Sequence, residues 1–362
     1  MIVAFLLLLF SAPAPAASPH VVDVSYLSTA LTSFWEAPVS IRGSVLLPDS
    51  YYTDPERRYP VIYVIPAFDG NFEFDSATQR QWQEPMRAIH SEFIVVTLDG
   101  MVAINREGIH HEFADSVNDG PWGTALTTEV VPAIDAQFRT VAAPQSRFLF
   151  GHSSGGWSAL WLQINYPALF GGAWALSPDP VDFHDFTGPD LTRNPPQNFY
   201  HDDAGNQYGI DRVGSRDRFT IRLFIQQTRW MQTQIDTYNE VFSPRSPDGG
   251  PARLFDPKSG DIDAATAAYW EDHYDITHLL ERRWNEIGPQ LNGKLHVYVG
   301  TADTFHLDGA VRLLAKALAQ LGAQEEIEFD PGADHWAIYH WHGDIIKYAM
   351  GEMSAPAPTS TP

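Results

Sequence analysis

Three side chains, each at the end of an apolar run, could together carry acyl-transfer chemistry: Ser153, Asp303 and His335. Ser153 lies in Gly151-His152-Ser153-Ser154-Gly155-Gly156, a G-x-S-x-G frame that fails when shifted by one because position 152 is His. The glycines have a chemical reason. A serine raised on a sharp strand-to-helix turn needs tiny neighbours, because the adjoining backbones pack against it. Such a turn exposes Oγ and aims the next amide, that of Ser154, at the oxygen of a reacting carbonyl. The helix that follows adds a dipole favouring negative charge at its N-terminus. A serine nucleophile also needs a base and a group to orient that base. His335, in Gly332-Ala333-Asp334-His335-Trp336, is the candidate base, and Asp303, just past Val299-Gly300-Thr301-Ala302, is the candidate orienter. His306, His340 and His342 are rival histidines, the latter two on an expected closing helix from Trp336 to Met350. Asp308 and Asp330 are rival acids, the first reading as an N-terminal helix residue and the second as a turn residue.

The elements that must position these groups follow from hydropathy. Val61–Ile65, Phe93–Leu98, Arg147–Phe150, Gly172–Leu176 and Leu295–Val299 are continuous apolar runs of the kind buried on both faces of a parallel sheet. Helix-like stretches separate them, around Gln79–His90, Thr124–Phe138 and Trp157–Tyr166, with another at Asp308–Leu321 before a last strand at Glu326–Phe329. That alternation implies right-handed βαβ units and a mostly parallel central sheet flanked by helices. Val21–Leu47 reads as one or two antiparallel edge strands. The rhythm breaks after Pro178. From about 179 to 292 the chain is polar and punctuated by Pro and Gly, with helices near Arg229–Tyr238 and Ala264–Trp284. This stretch reads as a large insertion with no second core, placed to act as a lid or cap that sets substrate choice. In an open sheet of this kind ligands sit at the carboxyl ends of the strands, the ends that carry all three candidate residues.

The chain order Ser, Asp, His is that of the α/β-hydrolases. More specifically, the chain resembles the esterase D-like branch, which includes feruloyl, acetyl and enterochelin esterases and mycolyltransferases. The residues that carry the resemblance are Tyr63-Val64-Ile65-Pro66-Ala67-Phe68, Gly120-Pro121-Trp122-Gly123 and Glu129-Val130-Val131-Pro132. Gly151–Gly156, Gly300-Thr301-Ala302-Asp303 and Gly332-Ala333-Asp334-His335 complete the match. The likeness spans about 40–178 and 293–350; the insertion departs from the compact members, so their specificity does not carry over. It implies an α/β-hydrolase domain over 21–353, with Ser153, Asp303 and His335 in the roles argued above. The turn after Val61–Ile65 would supply the second oxyanion amide, by position that of Phe68, where Ala67 precedes it in place of the glycine many relatives carry.

The remaining features bound the function. The chain holds 23 basic and 45 acidic residues, a net charge of −22, which repels nucleic acid and anionic membranes and leaves neutral or cationic substrates. It has no cysteine, which removes disulfides, thiolate chemistry and a lipoprotein anchor. Met1–Phe10 is an apolar run followed by small residues and prolines, with Ala14-Pro15-Ala16 as a cleavage site; residues 1–17 read as a signal peptide lacking its basic start. The protein is expected to be secreted or periplasmic, without a membrane anchor, and residues 354–362 are expected to be a disordered tail. His110-His111-Glu112-Phe113 lacks metal-ligand spacing, so neither metal nor cofactor is expected. Phe113 and Trp122 are expected either as apolar walls of the substrate site or as ordinary packing. Insertion aromatics such as Tyr238, Phe242 and Trp270 are expected mostly to pack. The reading is a serine carboxylic-ester hydrolase that forms an acyl-enzyme on a small-molecule or carbohydrate-linked ester. An acyltransferase with the same triad and a non-catalytic binding protein on a hydrolase scaffold are the alternatives.

Overall fold

The computed structural model describes residues 20–102 and 108–355. The signal-peptide segment and most of the expected tail lie outside the described residues, although the last helix, Ile345–Ser354, reaches the first residue of that tail.

Eight strands form the central sheet. They are β1 (Val21–Ser28), β2 (Val39–Leu46), β3 (Val61–Ile65), β4 (Ile94–Leu98), β5 (Arg147–His152), β6 (Gly172–Leu176), β7 (Leu295–Gly300) and β8 (Glu326–Asp330). Their order is β1-β2-β4-β3-β5-β6-β7-β8. β2 runs antiparallel to β1 and β4, while the pairs from β4 to β8 are parallel, the sheet an α/β-hydrolase requires. The N-terminal region therefore forms two antiparallel strands as expected, but only β1 is at the edge. The apolar runs are buried on both faces: Val61, Tyr63 and Ile65 face one core and Ile62 the other. Parallel register aligns Ile65 with Gly151, and Leu176 with His152, so the chain leaves β3, β5 and β6 side by side on one edge of the sheet.

The insertion between β6 and β7 is richer in regular structure than its composition suggests. It holds a hairpin, Gly209–Val213 with Arg216–Thr220, and helices Ile221–Gln227, Arg229–Phe242, Ala264–Tyr274 and Ile276–Leu291. Its large apolar residues, among them Phe183, Phe186, Phe242 and Trp270, join the same core cluster as Leu149 and Ile65 of the sheet. The insertion thus has no core of its own and is held against the domain, in part by Asn118 donating from Nδ2 to the Ser243 carbonyl at 2.7 Å.

The closing helix differs from expectation. A short helical stretch, Ala337–Gly343, breaks at Trp341 and His342, where His342 takes a φ of 53°. A new helix then starts at Ile345, capped by the Asp344 carboxylate, which accepts from the amides of Ile346 and Lys347. His340 and His342 precede that helix instead of riding on it. Among the described residues no helix is long and apolar enough to cross a membrane.

Candidate active site

Ser153 sits between β5 and the helix Ser154–Asn165, in a backbone conformation of φ 57° and ψ −126°. That region is rare for a residue with a side chain and costs about 1–3 kcal/mol, which the surrounding packing must hold in place. The two glycines of the frame show what holds it. A Cβ on Gly151 would lie 2.0 Å from the Gly155 carbonyl oxygen, and one on Gly155 would lie 2.2 Å from the oxygen of Ile65. The first turn of the helix is thereby pressed onto the end of β3, beside the turn Pro66–Gly70 that carries Phe68. That turn closes through the Gly70 amide on the Ala67 carbonyl at 2.8 Å. Ser154 opens the helix, where first-turn amides have no partner within the helix.

His335 and Asp303 come together on neighbouring loops. His335 Nδ1 lies 2.8 Å from Asp303 Oδ2, and both side chains are buried. Asp303 Oδ1 accepts from the Phe305 amide at 2.9 Å and the Leu307 amide at 3.4 Å. Burial alone would raise this carboxyl, but the His335 imidazole and those two amides hold it below the usual carboxylate range. His152, just before the serine, supports the loop from behind, its Nε2 lying 2.9 Å from the His335 carbonyl. Burial, and then the facing His335, push the His152 imidazole down to about 3, so it is neutral near pH 7. Three of the rivals are occupied elsewhere. His306 meets Asp217 at 2.7 Å, Asp308 lies 3.4 Å from Arg212, and His342 meets Glu328 at 2.8 Å.

The serine itself does not face the histidine. Its Oγ donates to Asp179 Oδ1 at 3.1 Å, and no hydrogen bond joins it to His335 among the described residues. Asp179 is buried and gathers further donors on Oδ2: Ser154 Oγ at 2.6 Å, Tyr238 Oη at 2.7 Å and Gln234 Nε2 at 3.3 Å. Burial, and then the adjacent Asp179 and Glu112, push the Tyr238 hydroxyl far up, so it remains a donor. Asp179 is not among the acids singled out in the sequence, where it stands only as the first residue of the insertion. Its position three residues past β6, the strand beside the serine's own, was the available signal.

A tight pocket opens on Ser153. Its cavity volume is about 40 Å³, room for a few waters, and Asp179, Phe186, Met231, Tyr238 and Phe305 are among its walls. Most of the lining comes from the insertion, which therefore covers the serine. Tyr238, one of the insertion aromatics expected mostly to pack, is one of these walls, while Phe242 and Trp270 are buried in the core. Phe113 and Trp122 are not among the lining residues. Both are core side chains packed on His111, Trp122 stacking on that ring at 3.9 Å. Of the two roles expected for them, the structure places both residues in packing, on a loop tied beneath the insertion by Asn118.

Two clusters elsewhere bring three potential metal ligands close together: Asp182, His184 and Asp275, and His296, Glu326 and Glu352. In the first, burial and then Asp182 push the Asp275 carboxyl up to about 7. In the His110–Phe113 segment, His110 Nδ1 instead lies 3.1 Å from Glu112 Oε1, both buried.

The chain is similar to known proteins over this whole architecture. The family model described as "Putative esterase" matches residues 37–342. No curated protein sequence matches the chain. Among solved structures, a ferulic acid esterase superposes with a TM-score of 0.55 at 15% identity, covering 92% of this chain and 97% of its own. An S-formylglutathione hydrolase from Agrobacterium tumefaciens gives 0.55 at 14%, covering 92% and 94%. A fluorophosphonate-binding serine hydrolase of Staphylococcus aureus gives 0.54 at 12%, covering 93% and 98%.

Proposed function

The chain belongs to the esterase family and is a serine ester hydrolase, and from that premise we propose that it works through an acyl-enzyme on Ser153, with His335 as base and Asp303 as its orienter. The observation that carries the assignment is the buried 2.8 Å contact between His335 Nδ1 and Asp303 Oδ2 beside the strained serine turn. With Nδ1–H committed to Asp303, Nε2 is left as the acceptor for the serine proton. Rotation of the Ser153 side chain from Asp179 toward Nε2 precedes attack; loose resting geometry of this kind tightens when substrate binds.

In the first step Oγ bonds to the ester carbonyl carbon as His335 takes its proton. The tetrahedral oxygen is received by the amides of Ser154 and Phe68. The carbon–oxygen bond to the alcohol then breaks, and His335 returns the proton to the departing oxygen. Water repeats the sequence and releases the acid. The substrate is a small-molecule or carbohydrate-linked ester; the ferulic acid esterase among the similar structures supports an ester of that size. The apolar run Met1–Phe10 and the site Ala14-Pro15-Ala16 support export of the enzyme. A series of aryl esters with acetyl, long-chain and hydroxycinnamoyl acyl groups tests this reading. Release of the acid from at least one is expected, and added alcohol should not divert the product to a new ester. No turnover of any ester would defeat it, and predominant transfer to the alcohol would make the enzyme an acyltransferase.

A further inference from the structure

A carboxylate wall is an unusual neighbour for a serine nucleophile, and its hydrogen bonds show what it requires. Asp179 Oδ2 is saturated by Ser154, Tyr238 and Gln234, whereas among the described residues Oδ1 has one side-chain donor, the Ser153 hydroxyl. Acylation removes that donor, because Oγ exchanges its hydrogen for the acyl carbon. The hydroxyl leaves Oδ1 when the Ser153 side chain turns toward His335, and acylation keeps it from returning as a donor, so Oδ1 is left without it throughout the acyl-enzyme. A buried acceptor that loses its partner bears the full cost of its desolvation. The acyl group is tethered to the same Oγ, so a donor on the carbon next to its carbonyl comes within reach of Oδ1.

We propose that Asp179 selects acyl groups bearing a hydrogen-bond donor, hydroxyl or ammonium, on the carbon next to the carbonyl. This rests on the reading of Ser153 as the acylated residue. The rest of the pocket sets the remainder of the acyl group. Phe186, Ile221, Ile225, Met231 and Phe305 present apolar walls around a small volume, so the side chain beyond that carbon is short and apolar. A carboxylate in the same place is rejected by like charge. The acyl class is thus a small α-hydroxy or α-amino acid with an aliphatic side chain, linked as an ester. Asp179 acts here as a specificity residue, and it takes no proton in the reaction.

Three ethyl esters of one carbon skeleton test this: 3-methylbutanoate, 2-hydroxy-3-methylbutanoate and valine. They differ only in carrying hydrogen, hydroxyl or amine on the critical carbon. With the full-length wild-type enzyme, kcat/KM for the hydroxy and amino esters should exceed that for the unsubstituted ester by about tenfold or more, the size expected when a buried acceptor is otherwise left unpaired. In Asp179→Asn the ratio of amino to unsubstituted ester should collapse toward one. Equal kcat/KM across the three wild-type reactions overturns the proposal while leaving the hydrolase reading intact. No turnover of any of them, together with no labelling of Ser153 by a fluorophosphonate, overturns both. A ratio that survives Asp179→Asn places the donor's partner elsewhere and also overturns the proposal.

Discussion

Replacing Gly155 by alanine tests how the turn at Ser153 is built. The added Cβ would sit 2.2 Å from the Ile65 carbonyl oxygen and 2.8 Å from that of Pro66, both backbone atoms. Ile65 is held in register against Gly151 in the middle of the sheet, so it cannot swing aside as a side-chain tip could. Relief requires the helix start and the end of β3 to part by about 1 Å, an overpacking that costs about 3 kcal/mol. At roughly 2.1 cal/mol/K per residue over 362 residues, that lowers Tm by about 4 °C. The same displacement separates the Ser154 amide from the Phe68 turn, and a misplacement of that size lowers kcat by about 100-fold. Calorimetry and steady-state hydrolysis of an aryl acetate read both effects. Gly156→Ala is the internal comparison, since its Cβ would meet the Leu176 carbonyl oxygen only at 3.0 Å and should cost less. Wild-type Tm and kcat in Gly155→Ala, or a larger effect in Gly156→Ala, would refute the close approach of these two segments.

Asp303→Asn should lower kcat by about 10⁴-fold with KM little changed, because the imidazole loses the partner that fixes its tautomer; a similar loss in Asp308→Asn instead would move the acid. Met231→Phe, which fills a pocket wall contributed by the insertion, should slow 3-methylbutanoate esters more than acetate esters, and equal slowing of both would remove the insertion from substrate choice. Asp275 gives a pH signature in stability. Its carboxyl is pushed up to about 7 by burial and by Asp182, against an unfolded value of about 3.9. The folded state therefore binds more protons in that window. The stability this contributes is present in full below about pH 4 and is lost as pH rises through 7, a change of up to roughly 4 kcal/mol. Chemical denaturation should show wild type losing stability relative to Asp275→Asn across that window, and parallel profiles would contradict the burial argument.

The parts of the molecule legible in the sequence are those where one physical signal dominates. Val61–Ile65 and Arg147–Phe150 could only be strands buried on both faces, and Gly151 and Gly155 mark a turn whose neighbours leave no room for a Cβ. The pairing of Asp303 with His335 followed from their places after adjacent strands. What was not legible depended on burial from other parts of the chain. Phe113 and Trp122 lie close to the site in sequence logic, yet the insertion folds over their loop and leaves them in the core. The insertion's helices bury narrow apolar stripes beneath polar faces, so composition alone reads as irregular. The break at Trp341–His342 has a local signal, since Gly343 follows with a φ of 80° and Asp344 caps the next helix, but the apolar pattern runs across it and reads as one helix. Asp179 has the least local signal, since its four side-chain donors among the described residues come from two other parts of the chain, the serine turn and the helix Arg229–Phe242.

The central claim is that Ser153 becomes acylated while Ser154, one residue away and also bonded to Asp179, does not. Reaction with a fluorophosphonate followed by peptide mass spectrometry reads this directly in wild type, Ser153→Ala and Ser154→Ala. The account predicts a single adduct on Ser153 in the wild type and in Ser154→Ala, and none in Ser153→Ala. An adduct that persists in Ser153→Ala, on Ser154 or on any other serine, would contradict it.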